Sequence, residues 1–380
     1  RAGLLIAVIG KSLDADLFDT ANTIPNSLYI LVAGGIFNVV LVPQLVRAMK
    51  NDPDGGDAYA NRVITLGLTV LAVGTVILVV AVPWLMRVFF GQTLFTDGFE
   101  TQRASAQMLM WFCMPQVFFY GAFVLVGQVL NARERFGPMM WAPIVNNVVA
   151  IAVLVSYAVT FGTSDGTDGF TTAQALLLGV GSTVAIALQT VVLVPYLRQT
   201  GFRFRARFDF RGVGLGHTLR LGLWTLLFIV ANQIALIVVV RLGNSATLEG
   251  RELGVPAAGV AVYSFGFLVS QVPHGVITVS LATAIIPTLS AMAARRDYPR
   301  FRLELGRTIR VALVIVAPLA AAVACLGGPL ATAAGVVGAL SGDTALIGHT
   351  ISAFGLAMVT FTFHYLMLRG FYANEDTRTP

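Results

Sequence analysis

Apolar runs follow one another along the whole chain, each closed by a short polar stretch. A helix rising about 1.5 Å per residue needs about 20 apolar residues to cross the hydrocarbon core of a membrane. That ruler places spans at 1–10, 16–47, 63–86, 104–130, 139–161, 171–197, 219–241, 257–290, 308–331 and 345–368. The pattern therefore predicts an all-α, polytopic helical membrane protein. The first span has half the required length and the chain begins without methionine, so the reading expects residues before Arg1.

Composition agrees with the pattern. Only 12% of the 380 residues are charged and 56% are apolar, whereas soluble domains carry roughly 25% charged residues. An ordinary soluble enzyme is excluded. Cys113 and Cys325 lie far apart in apolar segments, which suggests neither a disulfide framework nor a zinc site. The net charge of +6 does not call for nucleic acid, because the basic residues sit in the gaps between spans.

Their distribution sets an orientation. Loops 47–62, 131–138, 198–220, 291–310 and 369–380 hold 19 Lys and Arg, and the alternate set holds 5. By the positive-inside rule the first set is cytoplasmic, and both ends of the chain face the cytoplasm. One cytoplasmic stretch, FRFRARFDFR at 202–211, alternates strictly between Phe or Ala and Arg or Asp. Period two indicates extended chain, expected to lie at the interface with its rings among headgroups and its guanidiniums on anionic lipid. The stretch 295–310 reads as a basic, amphipathic approach to the next helix.

The second and eighth spans are the longest, and each carries two prolines: Pro25 and Pro43, Pro273 and Pro287. Pro43 and Pro287 are 244 positions apart, while Gly127, Asn131 and Arg135 match Gly370, Asn374 and Arg378 at an offset of 243. Two nearly equal offsets indicate duplicated halves. An even number of spans separates corresponding helices, so the repeat is parallel. The expected architecture is two pseudo-symmetric helical lobes around a central cavity. Residues 1–198 form the first lobe (helices 1–6), 199–218 a basic loop, and 219–380 a partial second lobe (helices 7–10). A proline frees a backbone carbonyl that only protein or water can satisfy. Pro25, Pro43, Pro273 and Pro287, with Gly34 and Gly35, are therefore the candidate hinge and gating positions.

Polar groups inside spans are costly and mark function by default. Arg1, Asp16, Asn22, Asn26, Asn38, Asn232, Gln271 and His274 are the candidate cavity residues. Asp16, near the outer interface, is also placed to cap the second helix. No nucleotide-binding glycine loop, metal-spaced cluster or nucleophile triad is present in the sequence, so no cofactor is expected. The energy for transport must then come from a monovalent cation, the membrane potential or the substrate's own gradient.

Residues 16–43, DLFDTANTIPNSLYILVAGGIFNVVLVP, resemble the second-helix signature of the MurJ/MviN lipid II flippases. GQVLNARERFGPMMWAPIVNN (127–147), LATAIIPTLS (281–290) and GFYANEDTRTP (370–380) resemble further stretches of that family in the same order. Loops such as NDPDGGDAY (51–59) suggest an actinobacterial member. The resemblance implies the fold of the multidrug/oligosaccharidyl-lipid/polysaccharide exporter superfamily, with helices after the tenth missing here. It also implies a plasma-membrane transporter that moves undecaprenyl-diphosphate-linked peptidoglycan precursor from the inner to the outer leaflet by alternating access.

The chain departs from the family where arginines usually hold the diphosphate. Tyr29 to Gly35 stand where many members carry Arg-Arg, and no arginine lies between Tyr263 and Pro273. Arg1 matches one family cavity arginine, and Asp16 matches the helix-two aspartate. Either Arg1, His274 and the amides hold the diphosphate, or the substrate differs. A cation-coupled drug antiporter of the same superfamily and a transport-silent scaffold for cell-wall synthesis or division proteins are the alternative readings. The partners expected are the lipid-linked precursor, anionic lipids at the basic loops and such cell-wall proteins.

Overall fold

The structure, a computed structural model, describes residues 2–10, 13–30, 56–162, 169–209, 215–335, 344–374, 376 and 378–379. Among these residues the secondary structure is helical and no strand occurs. The helices are α1 (Ala2–Ile9), α2 (Leu13–Tyr29), α3 (Asp57–Val80), α4 (Val82–Phe90), α5 (Glu100–Cys113), α6 (Gln116–Ala132), α7 (Gly137–Phe161), α8 (Thr172–Val191) and α9 (Leu193–Gln199). They continue with α10 (Leu215–Leu253), α11 (Val260–Pro273), a π-helical segment (His274–Val279), α12 (Ser280–Ala294), α13 (Tyr298–Cys325), α14 (Gly327–Gly335) and α15 (Ala345–Ala373). Among the described residues, eight continuous stretches are long and apolar enough to cross a membrane, and they correspond to the third to tenth expected spans. The basic stretch from residue 298 is already the first turns of α13.

Local chemistry sets the boundaries. Pro115 has no N–H to continue α5 and caps α6 instead. Gly91 and Gly162, with φ of 72° and 77°, close α4 and α7 in a region that residues with a Cβ rarely enter. Thr171 opens α8 through a capping box with Gln174.

One boundary differs from the expectation. The seventh span was expected to end at 241 and give way to an outer loop to 256, but α10 continues to Leu253. No proline interrupts that stretch, and an interior glycine costs only about 1 kcal/mol. Val240, Asn244 and Leu248 are buried at helical spacing and hold the extra turns.

The outward faces carry apolar stripes. On α7, Met140, Ile144, Val148, Ile151, Val155 and Val159 recur every three or four residues, each at least 40% exposed. Leu176, Val180, Val184, Leu188 and Val191 recur likewise along α8, each exposed. A stripe of that length facing water would be an aggregation surface, whereas facing lipid tails it is ordinary.

The described residues fall into two compact units, 12–249 and 2–11 with 250–380. In the first, α2 packs on α5 and α6, α5 on α8, and α7 on α8. Helices α3 and α6 interlock reciprocally: a Cβ on Gly67 would meet Leu125 at 2.6 Å, and one on Gly121 would meet Leu71 at 2.3 Å. Each glycine is the socket for a leucine one turn along the opposite helix. In the second unit α13 and α14 pack on α15, and α1 lies against α11. This division follows packing, whereas the boundary at 198/219 follows the sequence repeat.

Candidate substrate-path residues

Helix α2 carries three polar groups on the face toward α10 or α6. Asp16 is 1% exposed and accepts a hydrogen bond from the Thr247 hydroxyl of α10. One turn on, Thr20 donates to Asn244 Oδ1 at 3.2 Å, and Asn244 Nδ2 donates to the Phe89 carbonyl at 3.1 Å. Positions 16 and 20 thus meet 247 and 244, a buried polar seam between α2 and α10. On another face, Asn22 accepts from Gln116 Nε2 of α6 at 3.2 Å, and the Tyr29 ring stacks on Tyr120 at 5.8 Å. Asp16 therefore does not start the helix as its cap. It lies inside the first turn, because α2 begins at Leu13.

Two candidate amides in this unit are open. Asn26 is exposed, directly after Pro25, which is buried inside α2. Asn232 is exposed on α10, and its amide turns back to the Phe228 carbonyl at 2.9 Å.

In the second unit, Pro273 ends α11 and the backbone widens into the π-helical segment. Such single-turn widenings recur at functional sites and hinges. His274, its first residue, is 5% exposed, with its ring 4.6 Å from Phe361 and edge-on to Tyr365 at 5.1 Å. Its Nδ1 is buried without a hydrogen-bond partner among the described residues. His274 and Gln271 line a space of about 120 Å³ with Phe267, Phe354 and Phe361. Thr278 bonds Thr362 of α15 at 3.1 Å, tying the widened turn to its neighbour. Pro287 is exposed within α12.

Asp16, Asn22, Asn26 and Asn232 thus lie in the first unit, and Gln271 and His274 in the second. Arg1, Asn38, Gly34, Gly35 and Pro43 lie outside the described residues. Sequence reasoning missed Asn244 and Thr247, which the expected outer loop had claimed, and also Thr20 and Gln116. The uninterrupted helical spacing of Val240, Asn244 and Leu248 was the available signal. Among the described residues no three His, Cys, Asp or Glu side chains cluster in metal-ligating geometry.

Residues 202–209 of the alternating stretch form neither helix nor strand, and the spacing of their bonds to α3 fits the extended chain that the period implies. They run along α3, where the Arg205 N–H donates to Asn61 Oδ1 at 2.7 Å and the Arg207 N–H to Thr65 Oγ1 at 3.0 Å. Two extended residues advance about 6.8 Å and four helical residues about 6 Å, so successive pins stay in register. Phe202, 1% exposed, anchors one end beneath the Arg133 guanidinium. At the other end Arg62 holds Asp209 at 2.7 Å. That bond keeps the Asp209 carboxyl below the ordinary carboxylate range. A depressed folded value favours the docked strap above the free-carboxyl range and releases that contribution as pH falls through the docked value. Amide hydrogen exchange at Arg205 and Arg207, corrected for intrinsic rates, should accelerate on acidification below about pH 4. Asp209→Asn should show the faster exchange already at neutral pH. The pair is exposed, so the effect is modest; pH-independent protection would remove Asp209 from the latch.

The family model described as lipid II flippase MurJ matches residues 5–380. The chain is similar to the probable lipid II flippase MurJ of Haemophilus influenzae, 25% identical over 394 residues, covering all of this chain and 73% of the relative. Its similarity to the Rhizobium tropici probable lipid II flippase MurJ is 27% over 385 residues, covering 100% and 68%. With the Burkholderia cenocepacia lipid II flippase MurJ it is 24% over 386 residues, covering 100% and 70%. Among solved structures, an inward-facing multidrug resistance MATE family transporter of the MOP superfamily superposes with a TM-score of 0.63 at 16% identity. That match covers 95% of this chain and 81% of the other, and it establishes the fold alone.

Proposed function

Because the chain belongs to the lipid II flippase MurJ family, we propose that it moves a lipid-linked peptidoglycan precursor across the membrane by alternating access of two helical lobes. It is a multi-pass membrane transporter and performs no covalent chemistry on its cargo. The observation that carries this reading is the family match from residue 5 to residue 380, extending across the eight apolar spans found among the described residues.

The physical task is to carry a charged diphosphate and its sugars past hydrocarbon. Stripping such a group of water without replacement contacts costs many kcal/mol. The family's usual arginines are absent from Tyr29 to Gly35 and between Tyr263 and Pro273. In our reading Arg1, Asn22, Asn26, Asn38, Asn232, Gln271 and His274 supply donors to phosphate and sugar oxygens in their place. The open Asn26 and Asn232 amides are the first of these to meet cargo. Asp16 belongs to the same path and also positions α2 against α10. Movement is assigned to Pro25, Gly34, Gly35, Pro43, Pro273 and Pro287. The chain ends and the loops holding 19 basic residues lie on the cytoplasmic side, on anionic lipid, and transport runs outward. Cell-wall synthesis proteins are the partners expected at those loops, and a cation or the membrane potential drives the cycle.

Liposomes containing the protein and labelled lipid II in the inner leaflet test the function. The label should become accessible to an impermeant hydrolase outside; equal accessibility with and without protein would overturn the reading. In the same assay Pro273→Ala should restore a helical donor, straighten the π-helical turn and slow transport at least tenfold with unchanged helix content. Transport at the original rate would remove Pro273 from the hinge set.

A further inference from the structure

We propose that the space beneath the arginine strap is a site for one acyl chain of an anionic phospholipid, separate from the path of the cargo. The space measures about 660 Å³, within the roughly 300–1,000 Å³ typical of small-molecule sites. Its walls are Ile64 and Leu68 of α3, Val126 of α6, Val194 of α9, and Phe202 and Phe204 of the strap. Apart from Arg198 and Arg203, every side chain lining it is hydrocarbon. Both arginines are exposed, and neither has an ion-pair partner among the described residues. Arg133 nearby is taken by Asp57 and the Thr200 carbonyl and is not available.

The order of these groups along the helices selects the ligand. Arg198 is in the last turn of α9, and Val194 lies one turn inward. Ile64 and Leu68 are about two and three turns from the start of α3. Two guanidiniums therefore sit at the mouth, where a phosphodiester would be, and the apolar wall continues inward where an acyl chain would follow. Phe204 is 47% exposed although it forms part of that wall, as a side chain awaiting an apolar partner would be. A soluble anion would use the arginines and leave the hydrocarbon wall wet, and a zwitterionic lipid would bring a third cation to the two already there. A membrane phospholipid with net negative charge satisfies both halves of the site. The strap is the roof, so its pins to Asn61 and Thr65 hold the site open. The proposal rests on the reading of this end of the first unit as a membrane surface and does not depend on which cargo is moved.

Purified full-length chain in detergent, titrated with phosphatidylglycerol or phosphatidylcholine and followed by native mass spectrometry, tests it. One phosphatidylglycerol per chain should be retained in preference to phosphatidylcholine. At about 1 kcal/mol per arginine near the surface, the Arg198→Ala, Arg203→Ala double variant should lose about thirtyfold in affinity. Leu68→Trp, which fills the space, should abolish the retained lipid even with both arginines present. If that variant fails to fold, Val126→Phe reports the same loss from the opposite wall, and Arg295→Ala on the other unit should bind as the original does. Equal retention of both lipids, equal affinity after removal of the two arginines, or displacement by inorganic phosphate alone would each overturn the site. Lipid II movement is measured separately in the liposome assay. Lost phosphatidylglycerol binding with intact transport leaves the transport reading standing, and failed transport with intact binding leaves the lipid site standing.

Discussion

Replacing Gly355 by leucine is expected to lower the stability of the second unit by about 3 kcal/mol, the upper end of what overpacking costs. A Cβ at this position would lie 2.6 Å from the Ala324 nitrogen and 2.9 Å from the Ala320 carbonyl oxygen. The obstacle is backbone, which cannot swing aside as a side chain can, so α13 and α15 must separate. Gly355→Ala already intrudes and should give an intermediate loss. A Cβ on Gly348 would likewise meet the α14 backbone, 2.9 Å from the Gly328 Cα, so the small-residue seam continues into α14. Close approach of this kind is the main attraction available to helices in lipid, where apolar area gains nothing by being covered. Thermal unfolding in detergent measures the effect. An unchanged midpoint for the leucine variant would mean that α13 and α15 do not meet at this glycine.

Removal of the Asp16 carboxyl is expected to be the second large effect. Asp16→Ala leaves the Thr247 hydroxyl with only the Gly243 carbonyl, at 3.3 Å, in a region that is 1% exposed at Asp16, and losing a buried hydrogen bond to a carboxylate costs about 2 kcal/mol. Thr247→Val should cost less, and the double variant less than the sum, with a coupling of about 1 kcal/mol between contacting residues. Asp16→Asn keeps an acceptor for Thr247 and should fold normally. If Asp16 also serves the cargo path, transport by Asp16→Asn should fall at least tenfold while its midpoint stays near the original. Additive single effects would show that the two side chains do not act together. Normal transport by Asp16→Asn would leave Asp16 with a positioning role between α2 and α10 alone.

These two positions illustrate what a linear reading can and cannot reach. The glycine could be seen in the sequence, but nothing in ISAFGLAMV says which helix presses on it. The aspartate is visible as a rare carboxylate in a span, a candidate for both the cavity and a helix cap, but its partner Thr247 lies 231 positions away in a stretch expected to be loop. His274 was similarly visible after its proline. Its aromatic surroundings come from Phe361 and Tyr365 of α15, nearly ninety positions on.

By itself, the pattern of apolar and polar residues determined that the chain is all-helical and crosses a membrane many times. It also determined where eight described spans lie and that 202–209 is extended. Each of these depends on local quantities, namely the length of an apolar run, the missing N–H of a proline, and the period of alternation. The scarcity of charge further directed attention to a few polar residues inside spans, and the order of short motifs pointed to the family. Tertiary structure alone decided which of those residues have partners, that α10 runs on to Leu253, and that the arginine strap lies on α3 over an apolar space. The physical reason is that a hydrogen bond, a glycine socket or a cavity wall depends on distances between groups far apart in sequence. Hydropathy is a sum over neighbours and does not contain those distances.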